Sequence, residues 1–379
     1  MEMKELLKQG IAEALDKAIA AGTLPAGDYP AISLEVPPQK EFGDFATNIA
    51  MQSARIARRA PKMIAEAIVA QMDYPWLDRA EIAGAGFINF FLKHDVIYDT
   101  LKNILAAGAD YGKAPLREED TIQVEYVSAN PTGPLHVGHG RGAAYGSALV
   151  NLLRAAGCNV QAEYYINDAG NQMNNLAASV NARYLQLLGR EADIPENGYH
   201  GHDIIDTAQA IIDQDGDAYL NMPEEERLEL FKDRAYVEKL KALKRDLAAF
   251  NVHFDNWFSE RTLHPDAIHG ACDVLKQRGK LYEKDGALWL KSTDYGDDKD
   301  RVVIRDNGVP TYLAADIAYH KNKYDRGFGS LINIWGADHH GYVARVKAAM
   351  AALGYDPEKL EILLLQMVSL FRDGKPVKM

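Results

Sequence analysis

The sequence predicts an α/β protein: a parallel-sheet domain with a helical insertion, preceded by a small α+β domain. Three observations predict it. Residues 122–127 read as a buried strand, 128–134 as a Pro/Gly-rich turn, and the next segment as a helix. Strand–helix alternation then recurs at 159–166 and again from 331 onward, an order that implies a parallel sheet. Residues 1–115 show a separate pattern that ends in a Gly-, Pro- and charge-rich linker at 108–120.

Within 1–115, the first helix is expected over 3–21, from its amphipathic spacing. Ile32-Ser33-Leu34-Glu35-Val36 reads as a strand stopped by Pro37-Pro38. A helix over 48–59 follows the Gly43-Asp44-Phe45-Ala46-Thr47 segment. Pro61 opens another that ends before Tyr74-Pro75. Residues 80–83 and 87–92 pair as strands around Gly84-Ala85-Gly86, and 95–107 is helical.

The second unit, 116–379, begins with the strand 122–127 and a helix over 135–156, where Tyr145, Leu149, Leu152, Leu153 and Ala156 recur at helical spacing. A strand over 159–166 follows. Residues of about 171–300 are mostly charged helical sequence, too long for a simple crossover, and read as an insertion. A hairpin-like pair, 287–291 and 301–305, closes it. Strand 331–335, helix 341–353 and strand 361–370 resume the alternation. No internal repeat or low-complexity segment is evident.

The chain has 379 residues, 47% hydrophobic and 25% charged, a composition of ordinary globular domains. No apolar run reaches the ~18 residues of a membrane span, and the amphipathic start lacks the apolar core of a signal peptide. Cys158 and Cys272 cannot form a disulfide framework, so a reducing, cytoplasmic setting is expected. A net charge of −12 argues against nonspecific nucleic-acid binding but leaves room for a local basic face. Arg55, Arg58, Arg59 and Lys62 form the densest early basic cluster, which also reads simply as a solvated helix face.

The chemistry-bearing stretch is SANPTGPLHVGHGR, 128–141. His136 and His139, three apart, share one helix face near its N-terminus, where backbone N–H groups and the helix dipole favour phosphate. The same spacing fits half a metal site, lacking further ligands, or two surface histidines. Pro131 and Pro134 fix the turn, and Gly138 and Gly140 carry no Cβ to keep a base or backbone away. Tyr312 and Asp316, four apart at an expected helix start, face one way; they read equally as a core tyrosine beside a capping aspartate. Glu125 lies within a buried strand pattern and needs a partner, for which a cationic substrate is one candidate. In Trp335-Gly336-Ala337-Asp338-His339-His340, small residues allow close approach to a strand end, and Asp338 could accept from a hydroxyl. Adjacent Asp and His side chains seldom converge on one metal ion, so no metal is expected.

HVGH within PLHVGHGR is similar to the HIGH signature of class I aminoacyl-tRNA synthetases. VEYVSANPTGPLHVGHGRGAAYG, together with YYINDAGNQ at 164–172, resembles the arginyl-tRNA synthetases in particular. PPQKEFGDFATNIAM and AGAGFINFFL resemble the extra N-terminal domain of the bacterial type, so the resemblance covers essentially the whole chain. It implies a Rossmann-type catalytic domain that joins L-arginine to tRNA(Arg) through arginyl-adenylate, using ATP as Mg-ATP with Mg2+. It also implies an N-terminal domain that contacts the tRNA elbow, tRNA-dependent activation, and a monomer. The implied residues are Glu125 and Asn130 for the α-amino and carboxyl groups of arginine, and Tyr312 and Asp316 for its side chain. Pro131, Thr132, Gly133, His136, Gly138, His139, Gly336, Asp338 and His339 are implied for ATP, with His136, His139 and Lys378 as catalytic groups.

A guanidinium is always charged and carries five donors, so it needs a carboxylate and flanking acceptors. That demand separates arginine from its rivals by several hydrogen bonds, and no editing domain is required. The final GKPVKM, 374–379, resembles the approach to the KMSK-type loop, cut after two residues, and the family's anticodon-binding domain does not follow. The expectation is a truncated enzyme that keeps its arginine pocket but has lost most adenylation and charging activity. Other readings are a different class I nucleotidyltransferase, a noncatalytic tRNA-binding module, or a metal-dependent hydrolase built on the histidines.

Overall fold

The computed structural model describes residues 3–377 and divides into two units, Met1–Tyr111 and Gly112–Met379. In the first, α1 (Met3–Ala20) buries Leu7, Ile11, Ala14, Leu15 and Ala18, one helical stripe. That stripe packs on α4 (Pro61–Val69), where Pro61 opens the helix and Ile64, Ala65 and Ile68 are buried. A three-stranded antiparallel sheet completes the core: β1 (Phe45–Thr47), β2 (Leu77–Ala83) and β3 (Phe87–Leu92), in the order β1-β3-β2.

Two expectations for this unit are corrected. Residues 32–36 form no strand; only a single bridge joins Glu35 to Ala46. Pro37 and Pro38, which donate no backbone N–H, stop any ladder there. The helix expected over 48–59 is two short pieces, α2 (Ile49–Gln52) and α3 (Ala54–Ala57), separated at the buried Ser53. Arg58 then turns left-handed at φ 48° and ends the second. The last helix, α5 (His94–Ala107), lies within one residue of its expected range.

The second unit is built on a five-stranded sheet in the order β11-β10-β4-β5-β6, parallel at every pairing. Its elements run β4 (Arg117–Glu125), α6 (Val137–Ala155), β5 (Cys158–Ile166), α7 (Asn171–Leu187), α8 (His202–Asp215), α9 (Glu224–Ala249) and β6 (Asn256–Ser259). There follow α10 (Asp266–Gln277), the antiparallel strands β7 (Leu281–Lys284), β8 (Ala287–Leu290) and β9 (Arg301–Ile304), then α11 (Tyr312–Asp325), β10 (Ser330–Gly336), α12 (Val343–Leu353) and β11 (Leu360–Leu365). In chain order the sheet runs outward from β4 to β6 on one side, and from β10 to β11 on the other. The direction therefore reverses between β4 and β10, where an open α/β sheet leaves a crevice at its carboxyl edge.

The strand expected over 122–127 begins earlier, at Arg117, and stops at Glu125, because Val127 and Ser128 leave the ladder with φ of 66° and 42°. The helix expected from 135 begins at Val137 with His136 as its cap. Within the 171–300 stretch, the helices α7–α9 form their own core around Met173, Leu176, Tyr184 and Phe231, yet Asn256–Ser259 returns to the sheet beside β5. The β10–β11 ladder closes at Gly336 and Leu365, short of the expected 370, and a 3-10 turn, Ala337–Tyr342, precedes α12.

Candidate functional site

Two adjoining cavities open at the β4/β10 reversal, and both are lined by Val127, Ser128, Asn167, Ile334, Trp335, Gly336 and His339. The backbone that shapes them is strained. Positive φ at a β-branched residue is a genuine outlier, and Val127 and Ser128 adopt it in succession. The kink turns Ser128 back across the strand ends. Its hydroxyl donates to Glu125 Oε1 at 3.0 Å and accepts the Tyr165 N–H at 3.1 Å.

The first cavity, about 400 Å³, is acidic: Glu125, Glu260 and Asp316 all line it, with Tyr312, Tyr342 and Tyr165. Each carboxylate comes from a different element. Glu125 ends β4; Glu260 follows β6; Asp316 sits one turn into α11, four residues after Tyr312. The Tyr342 hydroxyl donates to Asp316 at 2.5 Å. Burial, and then the nearby Glu260 and Glu125 carboxylates, push Asp316 up to about 7, against the Tyr342 hydrogen bond and Lys323. Three carboxylates of which one is half-protonated near neutral pH make a pocket awaiting positive charge.

Glu260 is 6% exposed and is held from behind. The buried Asp168 accepts the Ser259 hydroxyl at 2.6 Å and the Arg261 N–H at 3.1 Å, gripping the residues on both sides of it. Arg261 returns a bond to the Asp168 carbonyl at 2.9 Å.

The second cavity, about 540 Å³, is lined by Asn130, His136, Gly138, His139, Arg141, Asp338 and His339, with a rim of 365–368. The two helix-start histidines cap each other's turn. His136 Nδ1 accepts the Gly138 N–H and His139 Nδ1 accepts the His136 N–H, both at 3.2 Å, and the rings stack 3.7 Å apart. An Nδ1 that accepts carries no proton, so each neutral ring presents Nε2–H as a donor. Burial, and then His136, lower His139 to about 4, which keeps that ring neutral at physiological pH. The arrangement offers two neutral N–H donors beside a helix N-terminus, chemistry suited to phosphate oxygens.

The expected residues Glu125, Tyr312, Asp316, Gly336 and His339 line the first cavity, and Asn130, His136, Gly138, His139, Gly336, Asp338 and His339 the second. Three expected residues lie elsewhere. Pro131 is buried and, like Thr132, lines neither cavity. Gly133 lines a different cleft, beside Asp203 and Lys239, because the turn carries it away from the strand ends. One of the helix-start N–H groups, that of Gly138, is already bound by His136 Nδ1. Lys378 lies outside the described residues. The partner that Glu125 needed is supplied by the chain itself: Lys323 Nζ lies 2.5 Å from its Oε2. Sequence reasoning missed Glu260, Tyr342, Tyr165 and Lys323. A faint signal existed for Glu260, a carboxylate two residues after the Trp257-Phe258 pair, but that strand lay inside the presumed insertion. Among the described residues, no group of three or more His, Cys, Asp or Glu is placed to hold a metal ion, and no helix is long and apolar enough to cross a membrane.

Comparison with known proteins supplies the rest. Residues 5–92 match the family described as the arginyl tRNA synthetase N terminal domain, and residues 100–379 match the catalytic domain of class I tRNA synthetases (R). An arginine–tRNA ligase of Halalkalibacterium halodurans is 50% identical over 383 residues, spanning 100% of this chain and 69% of that protein. One from Geobacillus kaustophilus is 51% identical over 381 residues, spanning 100% of this chain and 68% of that protein. A crystal structure described as an arginyl tRNA synthetase of Campylobacter jejuni superposes with a TM-score of 0.69 at 43% identity, covering 75% of this chain and 62% of that one. The Thermus thermophilus arginyl-tRNA synthetase shares the fold, with a TM-score of 0.55 at 23% identity over 95% of this chain and 66% of that one.

Proposed function

The chain belongs to the class I arginyl-tRNA synthetase family, and from that membership we propose that its two cavities bind L-arginine and ATP side by side and form arginyl-adenylate for transfer to tRNA(Arg). The observation that carries the reading is the acidic cavity abutting the histidine-lined one at the sheet reversal. Arginine carries two cationic groups and one anionic group. Its guanidinium would lie against Asp316, Tyr312 and Glu260, and its α-ammonium against Glu125. The carboxylate would then point across the shared wall of Ser128, Asn167 and Gly336 toward the histidines.

ATP enters as Mg-ATP, with adenosine against Gly138 and Gly336, whose absent side chains let a base approach, and with Asp338 placed to accept from a ribose hydroxyl. In the first step a carboxylate oxygen of arginine attacks the α-phosphorus, the bond to the bridging oxygen breaks, and pyrophosphate leaves. This chemistry needs alignment and charge stabilisation more than covalent help. Neutral His136 and His139 donate Nε2–H to phosphate oxygens as negative charge gathers, with little reorganisation because their Nδ1 atoms are already locked. In the second step the terminal ribose hydroxyl of tRNA attacks the mixed anhydride and AMP departs. The basic residues Arg55, Arg58, Arg59 and Lys62 of the N-terminal unit are proposed as tRNA phosphate contacts, and the enzyme works in the cytoplasm.

A thermal-shift panel of the twenty amino acids tests the selection: arginine alone should raise the melting temperature. Arginine-dependent ATP–pyrophosphate exchange, with and without tRNA, tests the chemistry. Stabilisation by several unrelated amino acids, or chelator-sensitive activity indifferent to arginine, would contradict the reading.

A further inference from the structure

Glu125 and Glu163 are direct partners in the β4–β5 register, so two carboxylates stand side by side on the sheet. Both are buried, Glu125 at 6% and Glu163 at 0% exposure, and like charges so placed repel. One helix answers both. Lys323 and Arg326, three residues apart at the end of α11, reach the two strands. Arg326 makes a two-pronged contact with Glu163 at 2.5 and 2.9 Å. Lys323 is 0% exposed and its Nζ meets three groups: Glu125 Oε2 at 2.5 Å, Asn333 Oδ1 at 2.7 Å, and the Tyr319 ring 4.4 Å away. Asn333 in turn donates to His320 Nε2 at 2.8 Å, and His320 Nδ1–H donates to the Asp316 carbonyl at 2.8 Å. A continuous chain of polar contacts therefore runs beneath the acidic cavity from Glu125 to the backbone of Asp316.

We propose that Lys323 is a positioning residue for amino-acid recognition: it fixes the Glu125 carboxylate that receives the α-ammonium and ties it in register with Asp316, which receives the guanidinium. The proposal rests on the reading of Glu125 given under the proposed function. Ser128 holds one oxygen of Glu125 and Lys323 the other, so the carboxylate cannot rotate while its remaining lone pairs face the cavity. The distance between the two cationic groups of arginine is thereby read by two elements, β4 and α11, whose spacing Lys323 sets.

The test titrates calorimetrically two ligands, arginine and 5-guanidinopentanoate, which lacks only the α-amino group. Glu125→Gln is expected to weaken arginine about tenfold or more and to leave 5-guanidinopentanoate within about twofold. Lys323→Met is expected to show the same selective loss. The double variant Glu125→Gln/Lys323→Met, which replaces a buried ion pair by neutral side chains and so should remain folded, is expected to bind arginine no more weakly than Glu125→Gln alone. Equal loss of both ligands in Lys323→Met overturns the proposal, since Lys323 then merely supports the fold. Parent-like arginine binding in that variant, or a further loss in the double variant, overturns it while leaving the reading of Glu125 intact. Glu125→Gln that weakens both ligands alike, or neither, refutes that reading and the proposal with it. If Lys323→Met alone does not fold, the comparison within the Glu125→Gln background decides.

Discussion

Arginine binding should tighten about tenfold between pH 6 and pH 8, because Asp316 must lose its proton to receive a guanidinium. Burial and the neighbouring Glu260 and Glu125 carboxylates hold Asp316 at about 7. About a tenth of the free protein is then ionised at pH 6 and about nine tenths at pH 8, and apparent affinity scales with that competent fraction. The change corresponds to about 1.4 kcal/mol. Calorimetry in two buffers of different ionisation enthalpy should register close to one proton released per arginine at pH 6 and almost none at pH 8. Tyr342→Phe removes a hydrogen bond that lowers Asp316, so its midpoint should move to higher pH. The unliganded fold responds with the opposite sense. Asp316 keeps its proton in the folded state at pH values where the unfolded chain has lost it, so its contribution to stability falls as pH rises from about 4 to about 7. A flat affinity across this range with no proton release, or a midpoint indifferent to Tyr342→Phe, would refute the assignment of Asp316 as the ionising partner.

Three further outcomes follow from the geometry. His139→Ala should lower kcat for adenylate formation by about 10²–10³-fold, as loss of one charge-stabilising donor does, with arginine affinity kept within about twofold; a parallel loss of arginine binding would place the ring in the wrong cavity. Asp168→Asn should loosen the grip on Ser259 and Arg261 and so weaken arginine severalfold through Glu260, while ATP affinity, measured separately, stays constant; unchanged arginine binding would remove Asp168 from the account. Gly146→Ala should destabilise the second unit by about 1–3 kcal/mol, because an added Cβ meets the Tyr126 ring at 2.3 Å, and an unaltered melting temperature would show that helix α6 can shift away from β4.

The histidine turn was legible in the sequence because all its information is local: a strand, two prolines, glycines and two histidines within a few turns of chain. The four-residue spacing of Tyr312 and Asp316 placed them on one helix face but did not separate a binding pair from a core tyrosine beside a capping aspartate; only the family resemblance pointed to a ligand. What escaped depends on distant pairing. Lys323 meets Glu125 across 198 residues, and Asp168 holds the Glu260 turn across about 90. Glu125 was read as needing a cationic partner, and the lysine that supplies it lies 198 residues away. A faint signal for the clamp did exist: Asp316, His320, Lys323 and Arg326 recur at three- to four-residue spacing, a polar stripe on a helix whose middle is otherwise apolar. Strand β6 was hidden by the helices that precede it, since four residues of moderate burial carry little periodic signal. The left-handed Val127 and Ser128 could not be foreseen, because neither residue type favours that backbone and only the packed surroundings impose it.

In the proposed function, two adjoining cavities together select arginine and hold it against adenosine phosphate. Binding of arginyl-sulfamoyl-adenosine, a stable mimic of the adenylate, tests this most directly when titrated beside its lysyl counterpart. The arginyl compound should bind more tightly by several orders of magnitude, since a site built to satisfy a guanidinium leaves buried carboxylates unpaired against a single ammonium. Comparable affinities for the two compounds, or no binding of either by the folded chain, would contradict it.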